Sequence, residues 1–263
     1  MTFPFWFLFD DDTLLLNKDA TGPDAVPRFP EESAPSGGLR HALGSFDGCS
    51  CFARTITDEP EHAGYARVTL REAYDILGEP LYLLAGKGRE LIHWEATTRF
   101  CSVCGAQMAA STAISRHCPH CGREVFPHIT VAVLVLVLKD DKALLVRARN
   151  FTGPFYGLVA GFLEPGEPLE ECARREVQEE TALTVGNIRY FGSQPWPYPS
   201  GLMVGFVGDC LEGDIALLDG ELSEAAFFSR DAPPLLPHKL SLTRRMIDWW
   251  LAGAREAELK LPG

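Results

Sequence analysis

Two groups of residues have types and spacings suited to metal chemistry. Cys101-Ser-Val-Cys104 and Cys118-Pro-His-Cys121 form two pairs with thirteen residues between them, and each pair is followed by glycine, Gly105 and Gly122. Two residues between cysteines let both thiolates reach one ion from a tight turn, and glycine supplies the positive φ that such a knuckle needs. Four thiolates complete a tetrahedron, so the pattern implies one structural zinc per chain with no coordination position left for substrate. A redox CxxC is the competing reading, and two matched knuckles favour zinc over it. His117 and His120 read as bystanders, with either able to replace a thiolate, and Cys49, Cys51, Cys172 and Cys210 as small apolar side chains.

The second group lies in GFLEPGEPLEECARREVQEETAL, Gly161 to Leu183. Pro168 suits a first helical position with Glu167 at the cap, which predicts a helix over about 168 to 181. At 100° per residue Leu169, Cys172, Ala173 and Val177 share one arc, and Glu176 and Glu180 fall inside it. Arg174, Arg175, Glu171 and Gln178 fall on the opposite, solvated side. Carboxylates on a buried arc cost several kcal/mol unless paired or metal-bound. Glu176 and Glu180 at i and i+4, with Glu179 one turn from Glu176, offer oxygens to a hard cation such as Mg²⁺ or Mn²⁺.

These groups need a scaffold, and 263 residues at 46% hydrophobic can build a main domain with smaller companions. MTFPFWFLFDDD lacks a basic leader and reads as a first strand, and the valine-rich run Ile129 to Leu138 reads as a buried strand, too short to span a bilayer. No membrane association is expected, and with eight cysteines and no export signal the reading is a cytoplasmic protein with reduced thiols. The formal charge of −12 argues against nonspecific attraction to nucleic acid or anionic lipid. Organisation reads as α+β in three units in series: an N-terminal mixed α/β domain (1–95), a zinc ribbon (96–127) and a third section of strands with one marked amphipathic helix and a C-terminal helix (128–263). In the first, VTLREAYDIL suggests a short helix and LYLLAGKGRELIHW two strands around a Gly-Lys-Gly turn. The chain closes on a predicted helix, SLTRRMIDWWLAGAREAELK. After the acidic helix comes SQPWPYPSGLM, Ser193 to Met203, whose prolines remove amide donors and exclude an internal strand, leaving a rigid loop after one.

Gly161, five residues, Glu167, seven residues, then Arg175-Glu176-Val177-Gln178-Glu179-Glu180 resembles the signature box of the Nudix hydrolases. That resemblance implies an α/β/α sandwich over 128–263 and cleavage of a nucleoside diphosphate linked to another group. It makes Glu176, Glu179 and Glu180 metal ligands or base, Glu167 an auxiliary ligand, and Arg175 the residue that orients a glutamate. The box pattern ends in glycine and an aliphatic residue, where this chain has Ala182-Leu183. Alanine at a left-handed position costs on the order of 1 kcal/mol or shifts the helix end.

SQPWPYP in turn resembles the SQPWPFP signature of the NADH pyrophosphatases, a Nudix subfamily with a four-cysteine zinc ribbon before the catalytic domain. Here Tyr198 replaces phenylalanine and Gly201 stands where the subfamily has serine. The resemblance assigns substrate contact to Gln194, Pro195, Trp196, Pro197, Tyr198, Pro199, Ser200 and Gly201, with Gln194, Trp196 and Tyr198 shaping the site wall. Phe162 and Phe126 match the positions that sandwich adenine, where stacking supplies about 1 to 3 kcal/mol per base. Glu221 matches a glutamate near the metals, with Glu224 as its neighbouring alternative, and Arg71 and Thr243 match substrate-contact positions.

The implied reaction is hydrolysis of NADH or NAD⁺ to AMP and nicotinamide mononucleotide by a homodimer that uses Mg²⁺ or Mn²⁺. Two rival readings accompany it: removal of NAD caps from RNA, and an inert binding module docked through the zinc ribbon.

Overall fold

The computed structural model describes residues 3–56, 64–150, 153–218 and 220–253. The chain forms two compact units, residues 1–129 with 196–200, and residues 130–195 with 201–263.

The first unit is built on β1 (Phe5–Asp10), β2 (Thr13–Asn17), β3 (His41–Phe46), β4 (Cys49–Thr55) and β5 (Tyr65–Thr69), in the order β3-β4-β1-β2-β5. As the N-terminal run predicts, β1 is a strand. It is central, parallel to β4 and antiparallel to β2, so Phe5 to Phe9 are buried on both faces. VTLREAYDIL divides: Val68 and Thr69 pair with Leu14 and Thr13, and only α1 (Ala73–Leu77) is helical. The carboxylate of Glu72 closes the turn between them, accepting from Thr69 N–H at 3.0 Å and its hydroxyl at 2.6 Å.

The hairpin expected over Leu81 to Trp94 does not form. Residues Glu79–Thr97 are one helix, α2, with Pro80 in its first turn. Its buried positions include Leu81, Ala85, Gly88 and Ile92, a spacing of three and four residues, so helical periodicity outweighs the local turn preference of Gly-Lys-Gly. The glycines serve close packing: a Cβ on Gly88 would lie 2.7 Å from the Cβ of Ala53 and 3.4 Å from the ring of Phe9.

The zinc ribbon, β6 (Ala109–Thr112), β7 (Ser115–His117) and β8 (Glu124–Val125), belongs to the same unit. It packs on α2 through Arg116, which is buried 3.8 Å from Glu95 with its guanidinium over the ring of Trp94.

The second unit contains β9 (Thr130–Lys139), β10 (Lys142–Ala148), β11 (Val159–Phe162), α3 (Leu169–Thr181), β12 (Thr184–Trp196), β13 (Gly201–Glu212), β14 (Leu222–Phe228) and α4 (Leu242–Leu251). Its sheet runs β12-β13-β9-β10-β14, with β11 also paired to β9. The valine-rich run is the strand β9, as expected, and its alternation builds both layers. Val133, Val135 and Val137 pack with Cys172, Ala173 and Val177 of α3, while Leu134 and Leu136 pack with Met246, Ile247 and Trp250 of α4. The result is the α/β/α sandwich that the resemblance implies. The later part of the predicted C-terminal helix, 254–260, lies outside the described residues. Among the described residues no helix is long and apolar enough to cross a membrane.

Candidate active site

The helix α3 begins one residue later than expected: Pro168 is its N-cap, with extended backbone, and Leu169 is its first residue. It ends on Ala182 at φ 59°, the left-handed conformation in which the box glycine would be unstrained. The exit geometry is therefore kept, and alanine bears the strain. Ala182 N–H donates to the Gln178 carbonyl at 2.9 Å and closes the last turn.

On α3, Glu180 is buried, Glu176 is nearly so, and Glu179 is half exposed. The wheel puts Arg175 on the solvated face, but its long side chain folds back over the loop from β11. It donates to Glu167 through Nε at 3.1 Å and Nη2 at 2.6 Å, to Glu176 at 2.8 Å, to Glu179 at 3.0 Å, and to the Phe162 carbonyl at 3.0 Å. One planar fork thus fixes three box carboxylates and the end of β11. Periodicity cannot reveal this, because it places the Cα and not the tip of a flexible side chain.

Gly161 has an equally specific reason. A Cβ there would lie 1.8 Å from Cδ of Glu176, so the carboxylate occupies the space that any other residue would fill. Burial raises the pKa of Glu176 and Arg175 opposes that shift, while the charges of Glu179 and then Glu221 add to it. The field of Glu221 therefore reaches the box, although its side chain is exposed just before β14. Glu224, the alternative, is engaged elsewhere by Arg147 at 2.8 Å and by the Tyr156 hydroxyl. The Arg175 fork, followed by the Glu164 N–H, holds Glu167 down at about 2.

Hard carboxylate oxygens at i, i+3 and i+4, the first two held by Arg175, fit Mg²⁺ or Mn²⁺ by the chemistry of the donor set. The four ribbon thiols fit zinc. Their sulfurs lie within 4.8 Å of one another, with Cys101 to Cys121 at 3.6 Å and Cys104 to Cys118 at 3.5 Å. A tetrahedron with ~2.3 Å zinc–sulfur bonds has edges of roughly 3.8 Å. Gly105 and Gly122 take the expected positive φ, 73° and 77°. The backbone N–H groups of Val103 and Cys104 favour thiolate at Cys101, lowering it to about 6.

The signature stretch divides between strand and turn. Ser193 to Trp196 complete β12, an edge strand where Pro195 costs no internal ladder bond, and residues 197–200 form the turn into β13. Gln194 is buried, its amide donates to the Leu240 carbonyl at 2.9 Å and its oxygen accepts from Leu242 N–H at 2.6 Å, so it secures the start of α4. Thr243 is half-buried in the first turn of that helix.

Trp196 to Ser200 belong to the first unit, where Arg71 stands over the rings of Tyr198 (4.3 Å) and Trp196 (5.2 Å). The Ser200 hydroxyl donates to the His128 carbonyl at 2.9 Å. Gly201 opens β13 opposite Thr130. The rings of Phe126, in the first unit, and Phe162, in the second, are both exposed. Tyr82, whose hydroxyl meets that of Tyr198, was missed: a helical reading of 79–97 would have put it one turn from Gly86.

Three family profiles match consecutive parts of the chain: an NADH pyrophosphatase-like rudimentary NUDIX domain over residues 5–94, an NADH pyrophosphatase zinc ribbon domain over 96–126, and a NUDIX domain over 128–250. The NAD-capped RNA hydrolase NudC of Pseudomonas aeruginosa PAO1 is 34% identical over 260 residues, covering 98% of this chain and 90% of that one. The chain belongs to the Nudix hydrolases. NudC of Chromobacterium violaceum is 36% identical to this Nudix chain over 244 residues, or 92% of this chain and 89% of that one. A solved NUDIX hydrolase from Nitrosomonas europaea is 24% identical over 59% of this chain and 90% of that one, with a TM-score of 0.49.

Gly161→Ala is expected to keep the fold yet lower turnover by about 10²-fold or more, because the added methyl displaces the Glu176 carboxylate. Circular dichroism and steady-state rates check this, and a near-native rate would contradict it. Glu167 binds its proton more weakly in the folded chain than in the unfolded one, so it stabilises fully above about pH 4.3 and the contribution fades as pH falls through about 2. In urea unfolding, the stability gap between wild type and Glu167→Gln should be complete at about pH 6 and narrow on acidification. A gap that widens in acid would contradict that assignment.

Proposed function

We propose that this chain hydrolyses the diphosphate bond of NADH or NAD⁺, adding water to give AMP and nicotinamide mononucleotide, and that it cuts the same bond in NAD-capped RNA. The observation that carries the reading is the set of box carboxylates gathered by Arg175 against the bare backbone of Gly161. The NADH pyrophosphatase profiles and the names of the relatives support the choice of dinucleotide.

In this reading Glu176, Glu179 and Glu180, with Glu167 and Glu221 as auxiliaries, hold divalent cations, Mg²⁺ or Mn²⁺. When bound, such cations neutralise the diphosphate and lower the pKa of a water nucleophile. Arg175 keeps the carboxylates in register before substrate arrives, so little reorganisation accompanies the developing charge. A chain with a formal net charge of −12 then tolerates an anionic substrate, because cations would stand between carboxylate and phosphate. Phe126 and Phe162 supply exposed faces for adenine, and Arg71, Trp196 and Tyr198 contribute to binding the rest of the dinucleotide. Cys101, Cys104, Cys118 and Cys121 hold a structural zinc. The protein works in the reducing cytoplasm as a homodimer, the assembly resting on the subfamily resemblance alone.

With Mg²⁺ or Mn²⁺ the purified protein is expected to release AMP from NADH, and Glu179→Gln to lose about 10²-fold or more in kcat/KM. A panel of NADH, NAD⁺, ADP-ribose, FAD and NAD-capped RNA ranks the substrates. Absence of nicotinamide mononucleotide release from every NAD-containing substrate, or an unimpaired Glu179→Gln enzyme, would overturn the reading.

A further inference from the structure

The turn at Trp196–Ser200 connects two strands of the second unit, yet its own packing partners lie in the first. Three contacts there converge on one face of α2 and the segment before α1. The hydroxyl of Tyr82, a side chain buried along α2, lies 3.0 Å from the hydroxyl of Tyr198. Tyr74 meets the Tyr82 ring edge-on at 5.3 Å and fixes its rotamer. One helical turn beyond Tyr82, Gly86 leaves room for Pro197: a Cβ at Gly86 would lie 3.1 Å from Pro197 Cγ, closer than an ordinary contact. Arg71 lies over the Tyr198 ring, and Trp196 meets Tyr198 edge-on at 5.0 Å. Each of these side chains is constrained by the next, so the turn has one seat.

We propose that Tyr82 and Gly86 are positioning residues for the substrate-contact turn, acting through Tyr198 and Pro197, and that the N-terminal unit thereby tunes affinity for the dinucleotide. The inference rests on the proposed function for its catalytic readout and on geometry alone for the seat. Neither residue touches the box carboxylates' network, so their loss acts on binding more than on turnover. The tyrosine pair acts as a unit because removing either hydroxyl leaves the other, buried at Tyr82 and half-buried at Tyr198, without this partner.

The test compares Tyr82→Phe, Tyr198→Phe, their double variant and Gly86→Ala in NADH hydrolysis with Mg²⁺. A second readout is the ¹⁹F resonance of Trp196 in 5-fluorotryptophan-labelled protein, assigned by its loss in Trp196→Phe. Each single tyrosine variant is expected to raise KM by about fivefold, the value of one hydrogen bond, with a smaller change in kcat. The double variant should be no worse than either single. Gly86→Ala should also raise KM, and the Trp196 resonance should shift in all four. If Tyr82→Phe proves unstable, Tyr198→Phe removes the same bond from the turn side. An active wild type whose variants keep its KM and its Trp196 resonance, or a double variant equal to the product of the singles, would overturn the seat. A wild type inactive on NADH whose Trp196 resonance still shifts in the variants would overturn the proposed reaction and leave the seat standing.

Discussion

Carboxylates gathered on one helix face repel one another and lose hydration, and the guanidinium of Arg175 is the counter-charge that permits it here. Its fork reaches Glu167 in the loop before α3, Glu176 and Glu179 on the helix, and the carbonyl of Phe162 at the end of β11. A single residue thereby ties the entry loop, the box helix α3 and the strand before it into one piece. The pull of this fork lowers Glu167, while burial raises Glu176 against the opposing pull of the same arginine. Neighbouring carboxylates in one small volume are thus driven apart in proton affinity by desolvation on one side and charge-assisted hydrogen bonding on the other.

The sandwich exists to hold that arrangement still. Alternation along β9 sends valines to α3 and leucines to α4, so the box helix α3 lies on a closely packed face rather than on a loop. Gly161 lets the backbone of β11 approach Glu176, and Ala182 accepts a left-handed exit so that α3 can stop where the box stops. The strain at Ala182 is small beside the packing of Cys172, Ala173 and Val177, which explains why a departure from the box glycine leaves the helix intact.

Much of this is legible in residues whose spacing is itself the mechanism. Paired knuckles with glycines, a valine-rich strand, and glutamates at i and i+4 on an apolar arc each require one local geometry, and the fold supplies it. What sequence spacing could not convey depends on reach across the chain. Arg175 sits on the polar arc yet folds back to the carboxylates, and Gln194 lies inside a substrate signature yet bonds the backbone at Leu240 and Leu242. The Gly-Lys-Gly of α2 resembles a turn because the need for small residues comes from Ala53, Phe9 and Pro197, distant in sequence. In the last of these, local turn propensity was overridden by tertiary packing.

If orientation by the fork is what the site depends on, a lysine at 175 should not substitute, since a point charge neutralises the cluster without holding carboxylates in fixed planes. The direct measurement is kcat/KM for NADH hydrolysis by Arg175→Lys beside Arg175→Ala at saturating Mg²⁺. The expected result is that both variants fall together, by about 10²-fold or more. An Arg175→Lys enzyme with the wild-type rate would contradict it and reduce Arg175 to simple charge balance.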